Sequence, residues 1–335
     1  GEIVAAQKNG LLKVVWSFDD DFEVDRQIPG VATDGDRGVI AMVPAPDFAT
    51  SGNFYVMYAN TAGNIVIHRF PRSFIQAGGG GDPAMVMLTI PHTQHNNNLG
   101  GWMGWGPDGN LYVATGDGGG SGDPLNTAQD PASRLGKVLR ISPDFATVTV
   151  AALGLRNPGG GSFYNNMLVL SDRGENVREE INLIPLTGPA GNYGWPYKEG
   201  TEVVRSGGPA GMVDPMAECA HGPSTRGCYG LIGGYVYQGA DPTLQGQYIF
   251  ADRNYLPSGS TVNRGGFIFT LPVTALVPGR PTLTQRSFSW RTADLFYNIP
   301  GVVDPSSFYQ DSGGRIYMTI LGKAAGDTIY VWSIN

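Results

Sequence analysis

Charged side chains are scarce in this chain: Asp, Glu, Lys and Arg make up 15% of its 335 residues, against about 25% in average globular proteins. Hydrophobic residues account for 41% of the sequence, which argues against a disordered chain. The formal net charge is -7, and no stripe of Lys or Arg is present. Together these features argue against nucleic acid and anionic membrane surfaces as partners.

Long hydrophobic runs are also missing. No stretch approaches the ~18 apolar residues of a membrane-spanning helix, so the sequence predicts no membrane span. The sequence begins at Gly1 without Met or a signal peptide, and we expect a processed or trimmed chain.

Cysteine is nearly absent, because only Cys219 and Cys228 occur, at the ends of a short loop rich in Gly and Pro. The ends of such a loop can meet. In an exported protein we expect a disulfide here, and the alternative is two reduced surface thiols. A CxxC pair does not occur, which argues against a zinc site.

Glycine and proline, by contrast, are abundant, with 50 and 24 residues respectively. This composition indicates many short strands joined by turns. Lining up the hairpins shows an internal repeat at a spacing of roughly 50 to 80 residues, which is near the period of propeller blades with insertions. The six paired segments are 2–6 with 11–15, 52–56 with 65–68, 109–113 with 137–140, 167–170 with 180–183, 247–250 with 266–269, and 314–318 with 328–331.

Single hairpins cannot bury a face, but blades stacked around an axis can. Six copies therefore predict an all-β, six-bladed β-propeller. We expect one domain over residues 1–335, with inserted loops at about 197–230 and 253–266 and one helical turn near Phe74.

The most informative stretch runs from Pro91 to Pro143. Pro107, Asp108 and Gly109 have the chemistry of a tight turn that leads into a short strand. The following long polar loop is too rich in Gly, Asp and Asn to be core, and loops of that length are usually functional or disordered.

This stretch carries a resemblance to a known family. The run GWMGWGPDGNLYVATGDGG resembles the glucose/sorbosone dehydrogenases, soluble quinoproteins that oxidise aldoses with pyrroloquinoline quinone (PQQ). Three later runs also resemble that family: LGLRNPGG at 153–160, SDRGENVREEINLI with GNYGWP within 171–196, and GGYVYQG with LQGQYIFAD within 233–252. The resemblance implies a six-bladed propeller, a sugar substrate, PQQ, a calcium ion and a secreted, extracellular or periplasmic location.

The family's general base is a His that maps onto Asn98, and an amide does not accept a proton at neutral pH. His95 is a possible substitute, and His92 lies three residues further upstream. The alternative is that both are exposed loop residues.

The resemblance assigns Arg156 and Asn157 to cofactor binding, because they match the family's Arg-Asn pair. The alternative is that Arg156 braces a blade by bonding backbone carbonyls. The family also uses cationic residues on its last blades, but segment 302–307 contains no Arg. Arg253, Arg264 and Arg291 are nearby in sequence without clear equivalence.

The family's calcium loop maps onto Gly174 and Glu175, where relatives often have Pro at the second position. Backbone carbonyls would hold the cation together with the cofactor, and a carboxylate also suits a hard cation. The alternative is a solvated acidic turn. Further candidate oxygen ligands around the same turn are Glu179, Asp172 and Glu180. In the glycine-rich loop, Asp117 and Asp123 are also candidates, and the alternative is that they shape turns.

Aromatic residues near these segments suit stacking on a sugar or a quinone, but aromatics at strand positions usually pack between blades. They are Trp102, Trp105, Tyr193 and Trp195. Two functions remain open at this point. One is a secreted aldose dehydrogenase that depends on PQQ and Ca²⁺, with activity weakened or lost at Asn98. The other is a non-catalytic extracellular module that binds sugar or belongs to a larger assembly.

Overall fold

The computed structural model describes residues 2–17, 25–76, 85–92, 94–221, 228–253, 267–279, 281–284, 289–290, 305–311, 313–321 and 329–334. Helical structure within these ranges is limited to α1 (Phe48–Ser51) and two 3₁₀ turns, Arg72–Ile75 and Val273–Ala275. Strands make up nearly all the rest of the regular structure, so the all-β prediction is confirmed.

The chain divides into two compact units, Gly1–Val150 and Ala151–Asn335. The prediction of a single domain therefore stays a prediction. In the described ranges, no helix is long and apolar enough to cross a membrane.

The first unit is built from antiparallel strands in chain order. Its strands are β1 (Glu2–Ala6), β2 (Leu11–Ser17), β3 (Arg26–Gln27), β4 (Val39–Pro44), β5 (Asn53–Ala59), β6 (Ile65–Pro71), β7 (Met85–Ile90), β8 (Gly100–Trp105), β9 (Leu111–Thr115) and β10 (Lys137–Ile141). They form the sheets β1–β2–β3, β4–β5–β6–β7 and β8–β9–β10, and β11 (Val148–Leu153) runs across the boundary between the units.

The middle sheet of this unit is buried on both faces, because successive side chains of a strand point to opposite sides. In β5 the alternate residues divide between two buried clusters, Phe54, Val56 and Tyr58 in one and Tyr55, Met57 and Ala59 in the other. A slip of one residue would exchange the two sets, so both clusters fix the register.

The second unit continues with short antiparallel strands. They are β12 (Pro158–Tyr164), β13 (Met167–Asp172), β14 (Arg178–Pro185), β15 (Gly191–Asn192), β16 (Lys198–Glu199), β17 (Glu202–Val203), β18 (Ala217–Ala220), β19 (Leu231–Val236), β20 (Gln247–Asp252), β21 (Phe267–Pro272), β22 (Leu283–Thr284), β23 (Ser289–Trp290), β24 (Pro305–Gln310), β25 (Ile316–Leu321) and β26 (Ile329–Ile334).

These strands form the sheets β12–β13–β14–β18–β22, β19–β20–β21–β23 and β24–β25–β26, and the small hairpin β16–β17. Strand β20 repeats the logic of β5: Tyr248 and Phe250 join one buried cluster, and Ile249 joins another. Both faces of this sheet are therefore core.

All six hairpins predicted from the repeat are present as adjacent antiparallel strands, with bounds that differ by a few residues. The 3₁₀ turn at Arg72–Ile75 lies where one helical turn was predicted. Segment 197–230, expected as an inserted loop, contributes β18 to a main sheet. Most of segment 253–266 lies outside the described residues.

Candidate functional site

The Arg156–Asn157 segment lies between β11 and β12 and is fixed by one carboxylate. Asp172, the last residue of β13, accepts hydrogen bonds from the backbone N–H of Arg156 at 2.8 Å and of Asn157 at 2.7 Å. Asp172 is buried, with 3% of its surface exposed. The position of Arg156 therefore depends on the register of the strand pair β12–β13.

The Arg156 side chain reaches the turn after β13. Its Nη1 donates to the carbonyl oxygens of Arg173 at 3.2 Å and Gly174 at 2.8 Å, and its Nη2 lies 3.9 Å from Glu175 Oε1. The guanidinium carbon is 5.4 Å from the centre of the Trp195 ring, a cation–π distance. Within the described part of the chain, the buried Nε of Arg156 has no hydrogen-bond partner.

The turn itself, residues 173–178, is called the carbonyl loop below. Glu199 accepts the backbone N–H groups of Asn176, Val177 and Arg178, at 3.1, 2.7 and 3.2 Å to its Oε2. A β-carbon on Gly174 would lie 1.8 Å from the Arg178 carbonyl oxygen, so only glycine fits there.

Together these groups line a narrow, closely packed cleft, called the Arg156 cleft. Its lining combines three cations, three carboxylates, a glycine and an indole: Arg156, Arg173, Lys198, Asp172, Glu180, Glu199, Gly174 and Trp195. Opposite charges in a confined space with an aromatic wall suit a planar, anionic ligand.

Glu180 is the most perturbed acid of the cleft. Burial, together with the negative charges of Asp172 and Glu199, raises the pKa of Glu180 to about 8. Its carboxyl group accepts hydrogen bonds from Gly200 N and, at 3.1 Å, from Asn182 Nδ2. The group therefore carries a proton at neutral pH and avoids facing Asp172 as a second charge.

Asn98, which the resemblance predicts to stand at the family's His position, lies in the first unit. Its backbone has φ 54°, in the left-handed region that Asn tolerates, and 4% of the residue is exposed. Its Nδ2 donates to Asp117 Oδ1 at 3.0 Å, and its backbone N–H donates to Asp36 Oδ2 at 3.1 Å. The amide is thus a buried hydrogen-bond donor rather than a free polar group.

The two histidines upstream have different surroundings. His92 is 2% exposed and its Nε2 lies 3.3 Å from the Asn98 carbonyl oxygen, and burial lowers the pKa of His92. His95 is half-buried, and Arg37 Nη2 donates to its backbone carbonyl at 3.2 Å. The His95 ring packs on glycine: its Nε2 is 3.1 Å from where a β-carbon on Gly120 would lie.

The glycine loop, residues 116–136, is organised by buried polar side chains. Asp123 accepts the N–H groups of Thr127 and Ala128, each at 2.9 Å. Lys137, with no exposed surface, donates to the carbonyls of Thr127 at 2.7 Å, Ala128 at 3.0 Å and Leu135 at 2.7 Å. Burial lowers the pKa of Lys137 to about 8, against the opposing effect of Asp130 and Asp123. Asp117 and Asp123 therefore shape turns, the role weighed against calcium binding.

The remaining candidates fall elsewhere. Glu179 bonds His221 Nε2 at 2.6 Å and accepts Leu231 N at 2.9 Å, so both of its oxygens are engaged. In the ranges the structure describes, no group of three or more His, Cys, Asp or Glu side chains is placed to hold a metal. The predicted disulfide between Cys219 and Cys228 is formed.

Among the predicted aromatics, Trp195 lies in the cleft and Tyr193 is core, donating its hydroxyl to Leu183 O at 2.8 Å. Trp105 packs edge-on against Tyr55 at 5.5 Å. Arg264, Arg291 and segment 301–304 lie outside the described residues.

The fold of this chain matches that of solved aldose sugar dehydrogenases. The PQQ-bound form of the enzyme from Streptomyces coelicolor aligns with a TM-score of 0.71 at 22% identity, over 99% of this chain and 90% of that chain. The apo-form of the soluble enzyme from Escherichia coli aligns with a TM-score of 0.68 at 18% identity, over 98% and 92%.

Residues 1–250 match the model of the Glucose / Sorbosone dehydrogenase family, and the chain belongs to this family. It is 31% identical over 201 residues to the HIPL2 protein of Arabidopsis thaliana, across 47% of this chain and 28% of that protein. It is 30% identical over 189 residues to the aldose sugar dehydrogenase YliI of Escherichia coli, across 50% and 48%. The chain thus spans less than a third of HIPL2 and about half of YliI.

Sequence reasoning missed Glu199, Lys198 and Lys137. Lys137 left a signal, because it is a charge at the start of a largely apolar strand. Glu199 left none, because its partners are backbone groups more than 20 residues away.

Proposed function

We propose that this chain is a six-bladed propeller that binds PQQ in the Arg156 cleft and oxidises aldose sugars weakly. The six-blade count is supported by the six described sheets that contain three or more strands. The observation that carries the binding proposal is a guanidinium held over an indole, with a buried Nε that has no hydrogen-bond partner among the described residues.

The residues of the cleft fit the cofactor's chemistry. PQQ is flat and carries carboxylates, so Arg156 would bind a carboxylate through its unpaired N–H and Trp195 would meet the ring system. Asn157 holds its place beside Arg156 through Asp172. Bound there, PQQ would supply the two-electron sink for oxidation of an aldose to its lactone, and a base of the protein would take the hydroxyl proton.

The base is the weak point of the proposed reaction. Asn98 has no basic nitrogen, and its Nδ2 is committed to Asp117. Loss of a general base typically removes about 10²- to 10⁴-fold of rate, so we expect residual activity at best. We propose His95 as the substitute base, because its ring packs on Gly120 of the glycine loop and is only half-buried.

Calcium fits the described residues less well than PQQ. Calcium takes 6–8 oxygen ligands, as a rule. The carbonyl loop presents two, from Arg173 and Gly174, and both accept hydrogen bonds from Arg156. Glu175 is a further oxygen near the same point. No step of the proposed reaction is assigned to calcium.

A second function is favoured by the Asn98–Asp117 bond, because a buried amide fixed by a carboxylate suits a scaffold that no longer moves a proton. In that case the chain is a sugar- or glycan-binding module, or part of an extracellular protein assembly. For either function we propose a secreted, extracellular or periplasmic location, supported by the Cys219–Cys228 disulfide.

The test is direct titration of the purified protein with PQQ, with and without Ca²⁺, followed by dye reduction with glucose and other aldoses. We expect PQQ to bind and turnover to be slow, and Arg156→Ala to abolish binding while the protein stays folded. Binding of aldoses without any binding of PQQ would support the second function. Absence of PQQ binding and of turnover rejects the enzyme.

A further inference from the structure

The carbonyl loop is held between two opposite charges. On one side the Arg156 guanidinium takes the carbonyl oxygens of Arg173 and Gly174. On the other side the Glu199 carboxylate takes the N–H groups of residues 176–178. Both sets of groups belong to one six-residue turn, so fixing the N–H groups of its second half also restrains the peptide groups that carry the carbonyls of its first half.

Glu199 is anchored rather than adjustable. It is 3% exposed and lies in β16, the first strand of the small hairpin β16–β17. The two residues after it are fixed by other buried acids: Gly200 N donates to Glu180, and Thr201 N donates to Glu218 at 2.8 Å. The hairpin therefore belongs to the wall of the cleft and brings a rigid carboxylate to the carbonyl loop.

We propose that Glu199 is a positioning residue that sets where the Arg156 guanidinium lies in the cleft, by turning the carbonyls of Arg173 and Gly174 toward it. The effect on ligand binding rests on the proposed function, because it assumes that PQQ binds at Arg156. The effect on the loop does not.

The experiment compares Glu199→Gln with Glu218→Gln. Both replace a buried carboxylate that holds the same hairpin with an amide of the same shape. Glu218 bonds Thr201 and lies 3.7 Å from the Arg178 side chain, but among the described contacts it accepts no backbone N–H of the carbonyl loop. It is therefore a matched control for the loss of a buried charge.

Two readouts are measured for each variant: hydrogen–deuterium exchange of the amides at 176–178, and PQQ affinity by titration. For Glu199→Gln we expect exchange at least about 10-fold faster and affinity about 10-fold lower, the size expected for loss of a charged hydrogen bond. Glu218→Gln is expected to change both by at most about threefold, because it loosens the hairpin without removing the acceptor of the loop N–H groups, although both variants lose stability.

If Glu199→Gln does not fold, Glu199→Asp replaces it, since the shorter side chain keeps the charge but withdraws it from the loop. We expect an intermediate effect on both readouts. Equal exchange and equal affinity in the Glu199 and Glu218 variants overturn the proposal. If the parent binds no PQQ, the proposed function fails, and the exchange measurement alone decides the role of Glu199.

Discussion

The glycine loop of the first unit and the Arg156 cleft of the second unit are both rich in buried polar groups, but those groups are used differently. In the glycine loop, Asp123 and Lys137 each have several backbone partners. In the cleft, Arg156 keeps a buried Nε without a described partner, and Glu180 holds a proton at neutral pH.

A polar group whose bonds are complete adds stability and shape. A polar group left incomplete costs free energy unless a ligand completes it, so it indicates a binding site. The difference supports the proposal that the glycine loop is a support and that a ligand would bind in the Arg156 cleft. Four predictions test this comparison.

The largest effect is expected for Asn98→His. The left-handed backbone at this position also tolerates His, and Asp117 is placed to accept a hydrogen bond from an imidazole nitrogen. We expect dye-linked oxidation of glucose to rise by about 10²- to 10⁴-fold in the presence of PQQ. An unchanged rate with PQQ bound would mean that more than the base is missing, and Asn96→His is the control for an added imidazole on the same segment.

Lys137→Met tests the glycine loop as a support. The change keeps the length of the side chain but leaves three buried carbonyls without their donor. We expect a loss of about 3 kcal/mol in the free energy of unfolding, measured by urea denaturation. Lys13, which is 41% exposed, gives the control Lys13→Met, with an expected change below about 1 kcal/mol. A loss as small as the control's contradicts the role of Lys137.

Arg156→Lys tests the cleft as a binding site. The substitution keeps the charge. An ammonium group lacks the planar fork of the guanidinium, so it cannot bond two carbonyls and a ligand at the same time. We expect PQQ affinity to fall by about 10-fold, while the midpoint of thermal unfolding shifts by only a few degrees. A large loss of stability with unchanged affinity would make Arg156 a brace for the carbonyl loop, the alternative considered from the sequence.

The smallest effect is a pH dependence from Glu180. Its pKa in the folded protein is raised from an ordinary 4.5 to about 8, so folding favours the protonated form. That contribution to stability is fully present below about pH 4.5, and is lost as the pH rises through about 8. We expect the midpoint of thermal unfolding to fall more between pH 6 and pH 9 in the parent than in Glu180→Gln. Parallel curves for the two proteins argue against a protonated Glu180.

The hairpins were predictable from sequence because their signals are local, a turn followed by β-branched and aromatic residues. In the sheets after the first, the strand that precedes the predicted hairpin was not. In β12 and β19 the backbones meet directly, since a β-carbon on Gly233 would lie 2.2 Å from the Gly160 carbonyl oxygen. Glycine-rich strands of this kind carry no hydrophobic alternation, so their sequence resembles loops.

In the candidate site, the resemblance predicted the Arg156–Asn157 pair and the replacement of the family's His by Asn98. It did not predict the hydrogen bonds around these residues. The partners of Glu199 and Lys137 are main-chain groups, which every residue has. Such bonds become visible only when the fold brings distant segments together.

The ammonium group of Lys137 bears on whether the glycine loop needs a metal ion. It bonds three carbonyl oxygens at once, as a bound metal ion can do, but it is covalently part of the chain. We therefore expect chelators to leave the shape of residues 127–135 unchanged. A metal ion, where this protein uses one, would then act in the reaction and not in holding the shape of that loop.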